Sequence, residues 1–112
     1  MTQEEQLLYV KFLVRCAQEC EHWADECVTD GEMEKMGKSV RLCRECAELC
    51  RTAADALTRG TKFVYEISRG CIKTCDACAA ECRKSEAVSA QRCAEACRQC
   101  VEELQQLAGA TV

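Results

Sequence analysis

"CIKTCDACAAEC" (residues 71–82) sets four cysteines at offsets of zero, four, seven and eleven. On an α-helix turning about 100° per residue, those offsets fall within roughly 60° of one another along about 16 Å of axis. An amphipathic helix normally carries Leu, Ile or Val at this spacing. Here every position is a thiol. The interval returns three more times: as Cys16, Cys20, Trp23 and Cys27, as Ser39, Cys43, Cys46 and Cys50, and as Cys93, Cys97, Cys100 and Leu104. All 13 cysteines of the 112-residue chain stand on these positions, which makes the pattern an internal repeat.

Between the repeats the chain is punctuated by "TDGEMEKMGKS" (29–39), "TRGT" (58–61) and "RKSEAVSA" (83–90). Gly60 suits the left-handed position after a helix, and Thr61 and Ser85 suit the caps that open the next two. The periodicity predicts helices over 4–28, 37–59, 62–84 and 87–108. Proline is absent and Ala, Glu, Arg, Leu and Gln are abundant, a helix-forming composition. Short connections favour antiparallel neighbours. The expectation is an all-α, up-down-up-down four-helix bundle, one domain over residues 1–112, with a cysteine-lined core.

The repeated offsets are the alternating a and d positions of a bundle seam. Antiparallel threading predicts four layers: Cys16, Cys50, Cys71 and Leu104; Cys20, Cys46, Cys75 and Cys100; Trp23, Cys43, Cys78 and Cys97; Cys27, Ser39, Cys82 and Cys93. Beyond the first layer the same stripes become Tyr9, Leu13, Ala53, Leu57, Val64, Ile67 and Leu107, a conventional apolar plug. The opposite end, with Met33 and Met36 in its loop, is the expected mouth.

Composition excludes several classes. A net charge of −4, a pI near 5.1 and the lack of a Lys/Arg-dense stripe argue against nucleic acid. No apolar run approaches the roughly 18 residues that span a bilayer, and the start "MTQEEQLLYVKFLVRC" lacks the pattern of a secretory signal, so a cytoplasmic protein with reduced thiols is expected. An odd cysteine count cannot close into a complete set of intramolecular disulfides.

Buried cysteine often serves as a small hydrophobe, which accounts for one or two such residues but not for 13 in one register. Soft thiolates select Cu(I), Zn(II) or iron–sulfur clusters. Cu(I) shared at one ion per thiolate leaves the core near neutrality. A Zn(Cys)₄ unit or an oxidised four-iron cluster carries about −2, and stacking several in a dry column is costly. Multiple Cu(I) ions therefore fit best, with an iron–sulfur bundle for electron transfer or cluster storage as the alternative and a zinc or heavy-metal buffer third. Met33 and Met36 offer soft thioethers at the mouth. His22 sits one residue off the inward register, which suits a surface role, and Trp23 fills space where thiols are missing. No nucleophile–base pair or thioredoxin-like βαβ context is present, so the chain is not read as an enzyme.

With the register laid out, the chain resembles the bacterial copper storage proteins, from about Leu7 to Leu107. "CIKTCDACAAEC" and "CAEACRQC" carry the resemblance, supported by "CRECAELC" and "CAQEC". It implies Cu(I) ligation by each inward thiol: Cys16, Cys20, Cys27, Cys43, Cys46, Cys50, Cys71, Cys75, Cys78, Cys82, Cys93, Cys97 and Cys100. It also implies a homotetramer of the cytosolic type that buffers or detoxifies copper, exchanging it with a chaperone or chelator.

Overall fold

Two glycines in the left-handed region fix where the chain reverses, Gly31 (φ 71°) and Gly60 (φ 74°). Gly31 follows α1 (Gln3–Thr29), and Gly60 follows α2 (Met33–Thr58). At the first turn the Gly31 amide donates to the Val28 carbonyl (3.2 Å) and the Glu32 amide to that of Cys27 (2.9 Å). At the second, Gly60 donates to Leu57 (3.0 Å) and Thr61 to Ala56 (3.1 Å). Both turns thereby satisfy carbonyls that a helix end leaves unpaired. The chain continues through α3 (Val64–Cys82) and α4 (Val88–Ala110). The computed structural model describes residues 1–110, so the last two residues of the expected domain lie outside the described residues.

The fold is the expected four-helix bundle, about 43 × 20 × 19 Å. Each helix packs against its chain neighbours, and α4 closes onto α1. Small residues let the helices approach. Ala17, Ala47, Ala79 and Ala94, each one residue after a cysteine, are buried with it, as is Ala24 beside Trp23. Leu13, Ala53, Leu57, Leu104 and Leu107 close one end of the core, with Tyr9, Val64 and Ile67 partly buried against them. The plug therefore lies where the sequence puts it, although a hollow of about 400 Å³ remains between Tyr9, Leu57, Val64 and Leu107.

One boundary differs from expectation by more than two residues, and two expected caps do not form. α2 starts at Met33, four residues before the expected 37, because Gly31 alone completes the reversal. The residues after it are good helix formers, and Glu34 complements the dipole of the first turn. Met33 and Met36 therefore stand on a helix, not in a loop, and Gly37 lies within it. Thr61 and Ser85 are not N-caps either. The Thr61 hydroxyl accepts from the Phe63 amide (3.1 Å) and that of Ser85 from the Ala87 amide (3.2 Å), both inside the connections. These are local hydroxyl turns that compete with capping.

Candidate metal centre

Because side chains three and four residues apart share a helix face, the repeated interval turns each cysteine stripe inward. All 13 cysteines are free thiols and all are buried. Their sulfurs approach across the helix interfaces: Cys46–Cys75 at 3.5 Å, Cys16–Cys97, Cys43–Cys78, Cys43–Cys82 and Cys82–Cys93 at 3.6 Å, and Cys16–Cys75 and Cys20–Cys78 at 3.8 Å.

Among the described residues these thiols form four quartets, within each of which all sulfurs lie inside 4.8 Å of one another. Starting at the plug side, they are Cys16, Cys46, Cys50 and Cys75; Cys16, Cys20, Cys46 and Cys97; Cys20, Cys78, Cys93 and Cys97; and Cys43, Cys78, Cys82 and Cys93. Consecutive quartets share two thiols, so the column is continuous. Cys100 and Cys71 are buried on the same inward stripes but belong to no quartet. The Cys71 thiol donates to the Leu49 carbonyl (3.6 Å). Cys27 is buried but belongs to no quartet.

The flat layers expected from the sequence do not form, because α1 is displaced along the axis. Antiparallel partners lie equally far from the centre of their turn. With that centre at Gly31, Cys16 stands level with Cys46 (3.9 Å), although Cys50 stays within 4.8 Å of it. Cys20 correspondingly meets Cys78, Cys93 and Cys97 (3.8, 3.6 and 3.7 Å) in place of Cys75 and Cys100. The α2–α3 and α3–α4 pairings survive as expected, in Cys46–Cys75 and Cys82–Cys93.

A dry thiol network spreads its proton affinities apart, since a sulfur that accepts several S–H bonds holds charge more easily than one that donates. Hydrogen bonds from Cys100, then Cys20, Cys46 and Cys50, pull Cys16 below the ordinary thiol range. The bond to Cys16 pushes Cys20 above it. Cys46 is lowered to about 7: its bond to Cys16 raises it but is outweighed by those with Cys20, Cys50 and Cys75. At the other end, burial pushes Cys27 up, with further contributions from Glu26, Glu32 and Asp30.

The end expected to be the mouth carries a groove of about 400 Å³ lined by Lys35, Met36, Ser39, Glu81, Lys84 and Ser85. Glu81 pairs with Lys84 (3.0 Å) and Lys38 (3.8 Å) across it. Ser39 is buried at its register position, Met36 is partly buried in the groove, and Met33 is 44% exposed. His22 is exposed on α1, away from the column. Trp23 is buried, and its Nε1 and the Oε2 of Glu26 have no hydrogen-bond partner among the described residues. Two features escaped the sequence reading. One is the carboxylate of Glu26, beside Cys27 in the chain. The other is the run of alanines behind the thiols, visible in retrospect as repeated Cys-Ala pairs.

The comparisons with known proteins agree with this geometry. The family model described as copper storage protein matches residues 2–109. The uncharacterised cysteine-rich protein YhjQ of Bacillus subtilis (strain 168) is 31% identical over 99 residues, which cover 88% of this chain and 92% of that protein. Among solved structures, the Cu(I)-bound copper storage protein BsCsp3 superimposes with a TM-score of 0.88 at 30% identity, covering 93% of this chain and 98% of that one. A cytosolic copper storage protein from Streptomyces lividans, solved with five coppers, gives 0.88 at 29% identity, covering 95% and 93%. The iron–sulfur alternative finds no support in these relatives. With a family match over nearly its whole length and the thiol column in place, the chain belongs to the copper storage protein family.

Proposed function

We propose that this protein is a cytoplasmic store for many Cu(I) ions, held by thiolates from all 13 cysteines along the bundle axis. The observation that carries the reading is the sharing of thiols between consecutive quartets. A shared sulfur can bridge two monovalent ions, so ions pack along the column at close to one per thiolate and leave little net charge in the dry core. Isolated four-thiol sites would waste that arrangement.

Met33 and Met36 act at the mouth as soft contacts for incoming Cu(I), which a chaperone or small chelator delivers. The working form is a homotetramer, and its role is buffering or detoxification. The protein holds its cargo without transforming it.

The test is an anaerobic titration of reduced apo-protein with Cu(I) against a competing chelator. Uptake should reach about 13 ions per chain at one per thiolate. Saturation below about four ions per chain would overturn the storage reading, because simple separate thiolate sites would then suffice.

A further inference from the structure

We propose that the column also contains two sites for a divalent d¹⁰ metal, Zn(II), one at each end of the thiol ladder. The first is Cys16, Cys46, Cys50 and Cys75, and the second is Cys43, Cys78, Cys82 and Cys93. This assignment stands apart from copper storage, since it concerns a different ion and a different end point.

The distances suit the ion. A tetrahedron of sulfurs about 2.3 Å from zinc has edges of about 3.8 Å. In the mouth-side quartet, Cys43–Cys78, Cys43–Cys82 and Cys82–Cys93 are 3.6 Å, Cys43–Cys93 is 3.9 Å and Cys78–Cys82 is 4.0 Å. In the plug-side quartet, Cys46–Cys75 is 3.5 Å, Cys50–Cys75 3.7 Å, Cys16–Cys75 3.8 Å and Cys16–Cys46 3.9 Å. Each site takes its thiols from three helices, the first from α1, α2 and α3 and the second from α2, α3 and α4.

Sharing sets the limit at two. Consecutive quartets have a whole edge in common: Cys16–Cys46, then Cys20–Cys97, then Cys78–Cys93. Two tetrahedra joined along an edge put their centres only about 2.7 Å apart at a zinc–sulfur distance of about 2.3 Å. At that separation two divalent ions repel four times as strongly as two monovalent ones. Monovalent copper can therefore occupy neighbouring quartets where zinc cannot. Only non-neighbouring quartets fill together, and no three of the four satisfy that condition. Each occupied site carries about −2, so repulsion between the sites favours the two ends, the most distant pair. Cys20 and Cys97 then remain as neutral thiols between them.

Binding releases to solvent the thiol protons that each quartet still holds, at most four, and no electron moves. That separates zinc from copper, which displaces about one proton per ion if one thiolate is used per ion.

Co(II), whose visible bands report tetrahedral sulfur coordination, serves as the probe in an anaerobic titration of reduced apo-protein, followed by displacement with Zn(II). Tetrahedral bands should rise to two equivalents per chain, with more protons released per ion than in the Cu(I) titration, and should vanish on adding two equivalents of Zn(II). Cys78→Ser removes the mouth-side quartet and its neighbour, leaving two quartets that share an edge, and should bind one. Cys16→Ser does the same from the plug side. Cys71 is in no quartet, so Cys71→Ser should keep both divalent sites while its Cu(I) capacity falls by about one ion. Circular dichroism and Cu(I) uptake confirm that each variant is folded. Any end point other than two tetrahedral sites, or two sites surviving in both Cys78→Ser and Cys16→Ser, overturns the proposal. Cu(I) capacity on the same samples tests the storage reading separately.

Discussion

Met36 and Met33 stand three residues apart on the opening turn of α2 in unlike surroundings. Met36 lines the mouth groove beside Ser39, whereas Met33 is 44% exposed. On the proposed entry route, the role therefore falls mainly on Met36. Met36→Leu keeps size and apolarity but removes the thioether, so Cu(I) transfer from a chelator should slow in stopped-flow mixing while total capacity stays the same. Met33→Leu should change the rate little. If Met36→Leu loads as fast as the parent, entry is elsewhere, and the hollow by Leu57 and Leu107 becomes the route to test. Cys27, also near this end, offers a pH signature. Burial, with Glu26, Glu32 and Asp30, raises its pKa in the folded chain. Its contribution to apo-protein stability is thus complete below the unfolded thiol value of about 8.5. It is lost as pH rises from there through the folded value, because the unfolded chain gives up that proton first. Thermal unfolding of parent and Cys27→Ser across this range should show the steeper decline in the parent. Parallel curves would mean that Cys27 titrates normally.

The helices were legible in the sequence because one interval governs all of them, and every cysteine lies where that interval predicts. What the sequence obscured was the axial position of α1. "TDGEMEKMGKS" contains Gly31 and Gly37, either of which can break a helix, and the composition does not say which does. Only Gly31 has positive φ, and that choice advances α2 to Met33 and pairs Cys16 with Cys46. Register is thus decided by one turn, while stripe membership is decided by spacing. The second turn provides the test of that principle. At Gly60 a Cβ would meet nothing within 4 Å, so the cost of substitution is purely that of the left-handed backbone. Gly60→Ala should destabilise the apo-protein by about 1 kcal/mol, read as a lower Tm, and leave Cu(I) capacity intact. A matching loss of capacity would show that the turn also sets the sulfur spacing of α2 against α3.

A bundle whose centre is cysteine gives up much of the apolar area that Leu and Ile would bury, since thiols are small. Three features of the whole molecule offset this. Leu13, Leu57, Leu104 and Leu107 form a metal-free plug, alanines behind the thiols bring the helices close, and the two glycine turns pair their carbonyls without help from metal. Ion pairs between helices, such as Arg44–Asp25 (2.9 Å) and Arg51–Glu21 (3.2 Å), lie at the surface and contribute at most about 1 kcal/mol each. The apo-protein should therefore be helical before any metal arrives, unlike a zinc finger, whose fold and metal site form together. Copper then binds a column already assembled, and because it binds the folded chain preferentially, stability must rise with loading. The expected record is a strongly helical apo circular dichroism spectrum that changes little on Cu(I) addition, with a Tm that climbs at each step of a stoichiometric titration. A random-coil apo spectrum would refute the plug as the source of apo stability. A Tm that stays flat until the last ions bind would instead place the early ions outside the core.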